Sequence, residues 1–405
     1  TKASVLGAAN LLGLMLFHHR LLTALRPRWF DGSIIVYCLV PIATCVRNDI
    51  DWQAALHLIG YQWLTWGAIY FAGRACLTSF DAMREFALAV TAGALVCVPL
   101  CITELIAGPL FYDVLYGSNR HPWMGDGMVR WIGSRPIALF EHGNQMGIWM
   151  ASGALLAIWL WRSGAARFIG PIPMRAAAIV LTITTLAVQT VGPIALLALA
   201  AGLMWLAPKL SAGKRRVVLG ALIVAAVGLT LMMTIAAGPT RSVALKLLGQ
   251  SHVDDLRAEA RLKSFGARLS IAAPLGELVE RRPLLGYGTW DWWTQTRDTH
   301  GTISRPPWSL QYQSLGMYGL LGAGALLGVF VTPIVMFARK HGTAAWLDPH
   351  RGAAAAVAML LVITLVDNVV NQSFNLVLLA GAAGLSATCA RRASDDRASV
   401  HRAAG

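Results

Sequence analysis

Long apolar runs recur along the whole chain, and each comes close to the roughly 20 residues that an α-helix needs to cross a bilayer. The runs lie at 4–18, 33–46, 53–72, 86–110, 137–161, 176–190, 193–208, 217–238, 310–338, 353–372 and 374–390. Only 13% of the 405 residues are charged, about half the share expected of a soluble domain. The sequence therefore predicts an all-α polytopic membrane protein with about 11–12 transmembrane helices.

Basic residues indicate how the spans alternate across the membrane. They cluster in four short connections, at 18–28, 162–175, 209–216 and 339–340. Lys and Arg concentrate in cytoplasmic loops, and placing these four there leaves the connections 111–136 and 239–308 outside and the tail 392–405 inside. The first span then starts outside, so either a helix precedes Thr1 or residues 4–18 form a re-entrant piece. The net charge of +14 is explained by these loops, and we expect no nucleic-acid partner.

The connection 239–308 is far longer than the usual link of a few residues. It separates the helices of 1–238 from those of 309–391, and we expect it to be a functional subdomain. A helix is predicted from Asp254 or Asp255 to Pro283. Arg257, Arg261 and Arg268 would share one face of it. Their planar guanidinium groups suit phosphate; a solvated face, or contact with the headgroups of membrane lipids, remains the alternative.

The end of that predicted helix reads "PLLGYGTWDWW". Its glycines, Gly286 and Gly288, permit a tight turn and a close backbone approach. Tryptophans are dense here, at positions 290, 292, 293 and 308. They suit either anchoring at the membrane interface or stacking on sugar rings, and both interpretations stay open.

Three segments together resemble a known family. They are "RWIGSRPIALFEHGNQMGIWM" before and into a mid-chain helix, "GARLSIAAPLGELVERRPLLGYGTWDWW" in the long connection, and "WSLQYQSLGMYGLLGAGALLG" in the helix that follows it. In order and spacing they resemble the O-antigen ligase and polysaccharide polymerase superfamily, over roughly residues 130–390. The resemblance implies a GT-C-like fold with one large periplasmic loop, in the inner (cytoplasmic) membrane of a bacterium.

The resemblance also implies an activity. Such enzymes take a glycan from undecaprenyl pyrophosphate at the periplasmic face and transfer it to another glycan (polymerases) or to lipid A-core (ligases). A chain-length regulator is a further candidate partner. Neither a metal nor another cofactor is expected, because pyrophosphate is already an activated leaving group. We expect a polymerase slightly ahead of a ligase, with a transporter or flippase, or a family member that has lost activity, as the rivals.

The resemblance assigns roles to arginines near the leaving group, where fixed cations lower the barrier as charge develops. Arg268 matches the family's loop arginine and is the first choice, Arg135 is the second, and Arg305 is the third. Arg261, on the face of Arg268, is a further candidate for binding pyrophosphate.

The chain departs from the family at the start of the helix that follows the long connection, where Trp308-Ser309 stands in place of the family's His-Asn. His300 is the expected replacement for the base that takes the acceptor proton, because histidine titrates near neutrality. A solvated loop histidine is the alternative. Trp308, His142 and Asn144 are expected to contribute to binding the substrate.

Two other polar groups need an interpretation. Asp49 and Asp51 form a DxD pattern that binds metal in many glycosyltransferases, but a turn is the preferred explanation. The group Asp367, Asn368, Asn371 and Gln372 lies near the outer end of a predicted span. Ionisable residues in a span are functional candidates, so these residues either line the acceptor path or form hydrogen bonds between helices.

Overall fold

The computed structural model describes residues 26–116, 129–130, 132–209, 220–221, 224, 275–276, 278–295, 307, 309–341, 346–371 and 376–390. This part of the chain is mostly helical and has almost no strand, as expected of an all-α membrane protein. The predicted span 4–18, most of 217–238 and the tail 392–405 lie outside the described residues.

The helices follow one another with short connections. They are α1 (Gly32–Arg47), α2 (Trp52–Gln62), α3 (Ala68–Cys76), α4 (Phe80–Ala107), α5 (Leu110–Tyr116), α6 (Gly143–Arg162), α7 (Met174–Ala187), α8 (Val191–Leu206), α9 (Leu310–His341), α10 (Gly352–Val370) and α11 (Val377–Ala390). A π-helical turn, Trp63–Gly67, joins α2 to α3. Two antiparallel hairpins pair β1 (Val129–Arg130) with β2 (Gly133–Ser134) and β3 (Phe168–Ile169) with β4 (Ile172–Pro173).

Three helical stretches of the described chain are long and apolar enough to cross a membrane: Trp29–Arg47, Phe80–Ala107 and Leu310–His341. Four shorter apolar helices accompany them: Met174–Ala187, Val191–Leu206, Gly352–Asn368 and Val377–Ala390. α6 occupies the centre of the bundle. It is buried along most of its length and packs against α4, α7, α8 and α10.

One end of the bundle, the Arg135 end, collects the start of α6, the turn between α7 and α8, the start of α9 and the end of α10. The Leu310 amide donates to the Asn371 carbonyl at 3.3 Å, and the Ile132 amide donates to Gln189 Oε1 at 3.3 Å. All of these connections were predicted to lie on one side of the membrane.

The opposite end, the Trp346 end, collects connections predicted for the other side. Trp159 Nε1, near the end of α6, donates to the Trp346 carbonyl at 2.6 Å. Lys340 Nζ donates to the Cys389 carbonyl at 2.8 Å, which ties the end of α9 to the end of α11. The helices therefore run between two ends in the alternating order that the basic connections predict.

α9 is broken near the Arg135 end. Gly319 has φ 65° and ψ −164°, which lies outside helical geometry and interrupts the backbone hydrogen bonds of the helix. The 283–288 segment fills the interruption. The amides of Tyr287 and Gly288 donate to the carbonyls of Gly316 and Met317 at 2.9 and 2.8 Å.

The pairing continues on the other side of the break, where α9 supplies the donors. The Leu320 amide donates to the Pro283 carbonyl at 2.7 Å and the Leu321 amide to the Leu284 carbonyl at 3.3 Å. A backbone group buried without a partner is costly, and the 283–288 segment provides the partners that the helix lacks. The continuous apolar run 310–338 does not predict this break.

The 283–288 segment also binds the end of α1. Thr44 Oγ1 donates to the Leu285 carbonyl at 2.8 Å, and Asn48 Nδ2 donates to the Gly286 carbonyl at 3.0 Å. Gly286 has a positive φ, and an added Cβ there would overlap the α9 backbone at Gly316. The predicted close backbone approach of this glycine is therefore confirmed.

The observed start of α6 differs from the prediction. The apolar run begins at residue 137, but the helix begins at Gly143, with His142 as its N-cap. Pro136 disfavours helical geometry in the residue before it, and Ala138 has a positive φ. Residues 135–142 therefore form an irregular segment that turns Arg135 into the bundle.

We predict that Gly319→Ala destabilises the protein, because φ and ψ there are accessible essentially to glycine alone, at a cost of about 1–3 kcal/mol for other residues. The new Cβ would also overlap the Leu284 backbone. Gly324→Ala is the matched control, since nothing lies within 4 Å of an added Cβ at that position of the same helix. Thermal unfolding in detergent should show a lower midpoint for Gly319→Ala only; equal midpoints would contradict the assigned break.

Candidate functional site

The irregular segment before α6 is held in place by a buried carboxylate. Glu104, near the end of α4, is fully buried. Its Oε2 accepts from the amides of Ile137 at 2.8 Å and Ala138 at 2.6 Å, and its Oε1 accepts from the Phe111 amide at 3.0 Å. Hydrogen bonds from several backbone amides satisfy a buried charge, so Glu104 fixes the backbone that carries Arg135.

Arg135 is 8% exposed and begins a chain of side-chain hydrogen bonds. Its Nη2 donates to Asn144 Oδ1 at 2.6 Å, and Asn144 Nδ2 donates to Asn371 Oδ1 at 2.9 Å. Asn371 Nδ2 then donates to Asp367 Oδ1 at 2.8 Å. This Arg135–Asp367 chain links the segment before α6 to the end of α10.

The Arg135–Asp367 chain is polarised in one direction. Both carboxamides turn their oxygen toward the guanidinium and their amino group toward the carboxylate. Chains of hydrogen bonds in a low-dielectric interior strengthen one another. The guanidinium is linked to the Asp367 carboxyl group through two neutral groups and is held in a defined orientation.

The predicted site residues divide into two groups. Arg135, His142 and Asn144 lie together at the start of α6, and His142 Nδ1 accepts from the Asn144 amide at 3.1 Å. His142 thus caps the helix in this structure. Predicted residues that fall outside the described part of the chain are Arg261, Arg268, His300, Arg305 and Trp308.

The polar group at the end of α10 does form hydrogen bonds between helices, which was one of its two interpretations. Asn371 contacts Asn144 of α6 through its side chain, and the Asn368 carbonyl accepts from Ser309 Oγ at 3.0 Å. In the "NDID" stretch, Asp51 caps α2 by accepting from the amides of Gln53 and Ala54. This supports the turn interpretation. No group of three or more metal-ligating side chains occurs in the described chain.

The tryptophans near the 283–288 segment are not equivalent. Trp292 is completely buried, and its Nε1 donates to Gln313 Oε1 at 3.3 Å. Because it packs in the core against Gly316, it is neither an interfacial anchor nor a sugar platform, and the prediction was wrong for this residue. Trp290, at 56% exposed, retains both interpretations.

Tyr287 ties the 283–288 segment to Leu278, which lies earlier in the long connection. Its hydroxyl donates to the Leu278 carbonyl at 2.9 Å. Burial raises the pKa of Tyr287, and the nearby cations Arg282 and Arg281 lower it by less. The phenol therefore stays protonated and remains a donor at neutral pH.

Two features of the site were missed from sequence. Glu104 is an acidic residue near the end of the apolar run 86–110, and an ionisable residue in a span indicates a functional or structural role. Gln311 and Gln313, at the start of α9, are both buried. Two glutamines at the start of an apolar run could have indicated a polar site at that position. Sequence alone does not show which of these side chains find partners.

Comparison with known proteins adds no assignment: no family model matches the chain, and no curated protein matches it significantly.

We predict that Glu104→Gln lowers stability, because one of its two oxygens becomes an amino group that faces a backbone N–H. Leaving buried donors without an acceptor costs about 1–3 kcal/mol. Glu85→Gln on the same helix is the control, since Glu85 is 68% exposed and makes only a surface ion pair with Arg84. Thermal unfolding in detergent checks both variants. A Glu104→Gln midpoint as high as that of Glu85→Gln would contradict the role of Glu104.

Proposed function

We propose that this protein is an integral membrane glycosyltransferase of GT-C-like fold that transfers a glycan from undecaprenyl pyrophosphate to an acceptor glycan. It acts as a polysaccharide polymerase at the periplasmic face of the bacterial inner membrane. Ligation of the glycan to lipid A-core is the alternative within the same chemistry. A chain-length regulator is a proposed partner of the polymerase.

One observation carries the proposal: the three segments that resemble the family are joined by hydrogen bonds. Asn144, in the first segment, bonds Asn371. Leu310, in the third segment, donates its amide to the carbonyl of the same Asn371. The 283–288 segment, in the second, pairs with the break in α9. Residues distant in sequence are thus held together at one end of the bundle, which supports a site built from all three segments.

The proposed reaction balances without a cofactor. The oxygen of an acceptor hydroxyl attacks the anomeric carbon of the donor sugar, and the bond from that carbon to the pyrophosphate oxygen breaks. The pyrophosphate leaves on undecaprenol with the electron pair. Arginine cations stabilise this developing negative charge; Arg135 is the described candidate, with Arg268, Arg261 and Arg305 as further candidates. His300 is proposed to take the hydroxyl proton.

The break in α9 bears on the rival function of a transporter or flippase. In transporters, the ends of broken helices point at the substrate or the coupling ion. In α9 the backbone groups around Gly319 bind the 283–288 segment instead. The break therefore anchors the long connection to the bundle, which favours an enzyme with a fixed site over a transporter with a moving one.

We predict that Arg135→Ala lowers glycan transfer by about 10²-fold or more, the loss typical of removing one charge-stabilising group. A deletion strain would be complemented with wild type, Arg135→Ala, Arg268→Ala, His300→Ala or the control Arg167→Ala. Arg167 is an exposed arginine just beyond α6 at the Trp346 end. Protein amounts in membranes would be matched, and surface polysaccharide would be separated on gels beside lipopolysaccharide.

Single-repeat products in the Arg135 and Arg268 variants, with long chains in wild type and Arg167→Ala, are the expected result for a polymerase. Long chains that stay on the lipid carrier and are missing from lipid A-core would identify a ligase. Wild-type polysaccharide in both the Arg135 and the Arg268 variants would overturn the proposed site. If His300→Ala alone behaves as wild type, His300 is not the base.

A further inference from the structure

Two buried carboxamides at the Arg135 end find no hydrogen-bond partner for their side chains among the residues that the structure describes. Asn368, in α10, is 0% exposed, and Gln311, in α9, is 3% exposed. Within the described part of the chain, neither the nitrogen nor the oxygen of either group has a partner. Gln311 and Asn368 make up what we call the carboxamide pair.

A neighbouring glutamine shows that this helix can satisfy such a group. Gln313 lies two residues along α9 and is also buried. Its Oε1 accepts from Trp292 Nε1 at 3.3 Å, and its Nε2 donates to the Trp290 carbonyl at 2.9 Å. A buried glutamine at the start of α9 can therefore be fully hydrogen-bonded, and Gln311 differs from Gln313 in this respect.

Folded proteins rarely leave buried polar groups unpaired, because a donor or acceptor removed from water loses its hydrogen bonds. Two complete carboxamides left unpaired at one helix junction give no stability to the fold. Local rules of this kind are broken mainly at functional sites, where a bound molecule completes the hydrogen bonds. A leucine at either position would suit the fold better.

The carboxamide pair adjoins the Arg135–Asp367 chain. Ser309, two residues before Gln311, donates its hydroxyl to the Asn368 carbonyl. Asn368 directly follows Asp367 and lies three residues before Asn371, both members of that chain. Gln311 and Asn368 thus lie on two helices that are tied to each other beside the buried arginine.

The chemistry of the carboxamide pair indicates its ligand. Each group offers N–H donors and a carbonyl acceptor without net charge, and a sugar hydroxyl is both a donor and an acceptor. An anionic group would instead favour an arginine. We propose that Gln311 and Asn368 form a subsite that binds the hydroxyl groups of a neutral sugar ring beside the Arg135–Asp367 chain. This inference deepens the proposed function and rests on it for the source of the sugar.

The test compares stability with sugar binding in the full-length protein. The variants are Gln311→Leu and Asn368→Leu. The control is Gln62→Leu, because buried Gln62 is hydrogen-bonded: its Oε1 accepts from the Tyr318 hydroxyl at 3.3 Å and its Nε2 donates to the Tyr37 carbonyl at 3.4 Å. Thermal unfolding in detergent gives stability. Calorimetric titration with the repeat-unit oligosaccharide, released from its lipid carrier by mild acid, gives affinity.

Both test variants should unfold no lower than wild type and bind the oligosaccharide at least ten-fold more weakly. Gln62→Leu should unfold lower and keep wild-type affinity. Unchanged affinity in both test variants would overturn the subsite. So would unfolding midpoints lowered as much as that of Gln62→Leu, because the carboxamides would then be structural.

Kinetics with donor and acceptor varied separately identify the source of the sugar. A raised KM for the acceptor at unchanged kcat assigns the subsite to the acceptor glycan, and a raised KM for the lipid-linked donor assigns it to the donor. The binding titration needs no turnover. A protein that binds the sugar through the carboxamide pair but transfers none would keep the subsite and remove the proposed glycosyltransferase activity.

Discussion

Every backbone N–H and C=O group inside a membrane must find a partner in the protein, because lipid tails offer none. At Gly319 the helical hydrogen bonds of α9 are interrupted. The 283–288 segment supplies partners to the α9 backbone on both sides of this break. This pairing holds residues 283–288 of the long connection in the bundle, and Trp292, four residues further on, packs against Gly316.

The buried charged groups at the Arg135 end also have hydrogen-bond partners in the protein. Glu104 is compensated by three backbone amides, and Arg135 is linked to Asp367 through the carboxamides of Asn144 and Asn371. These hydrogen bonds hold the guanidinium in one orientation, and fixed cations lower the barrier where negative charge develops. This arrangement suits the proposed role of Arg135 beside a leaving pyrophosphate.

The spans were largely predictable from sequence, and their exact ends were not. The apolar run 33–46 became Gly32–Arg47 and the run 176–190 became Met174–Ala187, because a membrane helix is defined by its own apolar length. The start of α6 was misplaced, since hydropathy does not show that Pro136 and the bonds to Glu104 hold residues 135–142 out of the helix. The break at Gly319 was missed for the same reason: its partner lies more than thirty residues away.

The sequence by itself determined the class of fold, the alternation of the spans and the residue types at the Arg135 end. These follow from composition and local order, which act along the chain. Only the tertiary structure decided which polar side chains meet. It joined Arg135 to Asp367 through Asn144 and Asn371, and within the described chain it gave hydrogen-bond partners to the side chain of Gln313 but not to that of Gln311. Hydrogen bonds need their atoms within about 3 Å, and that proximity is set by helix packing and not by sequence separation.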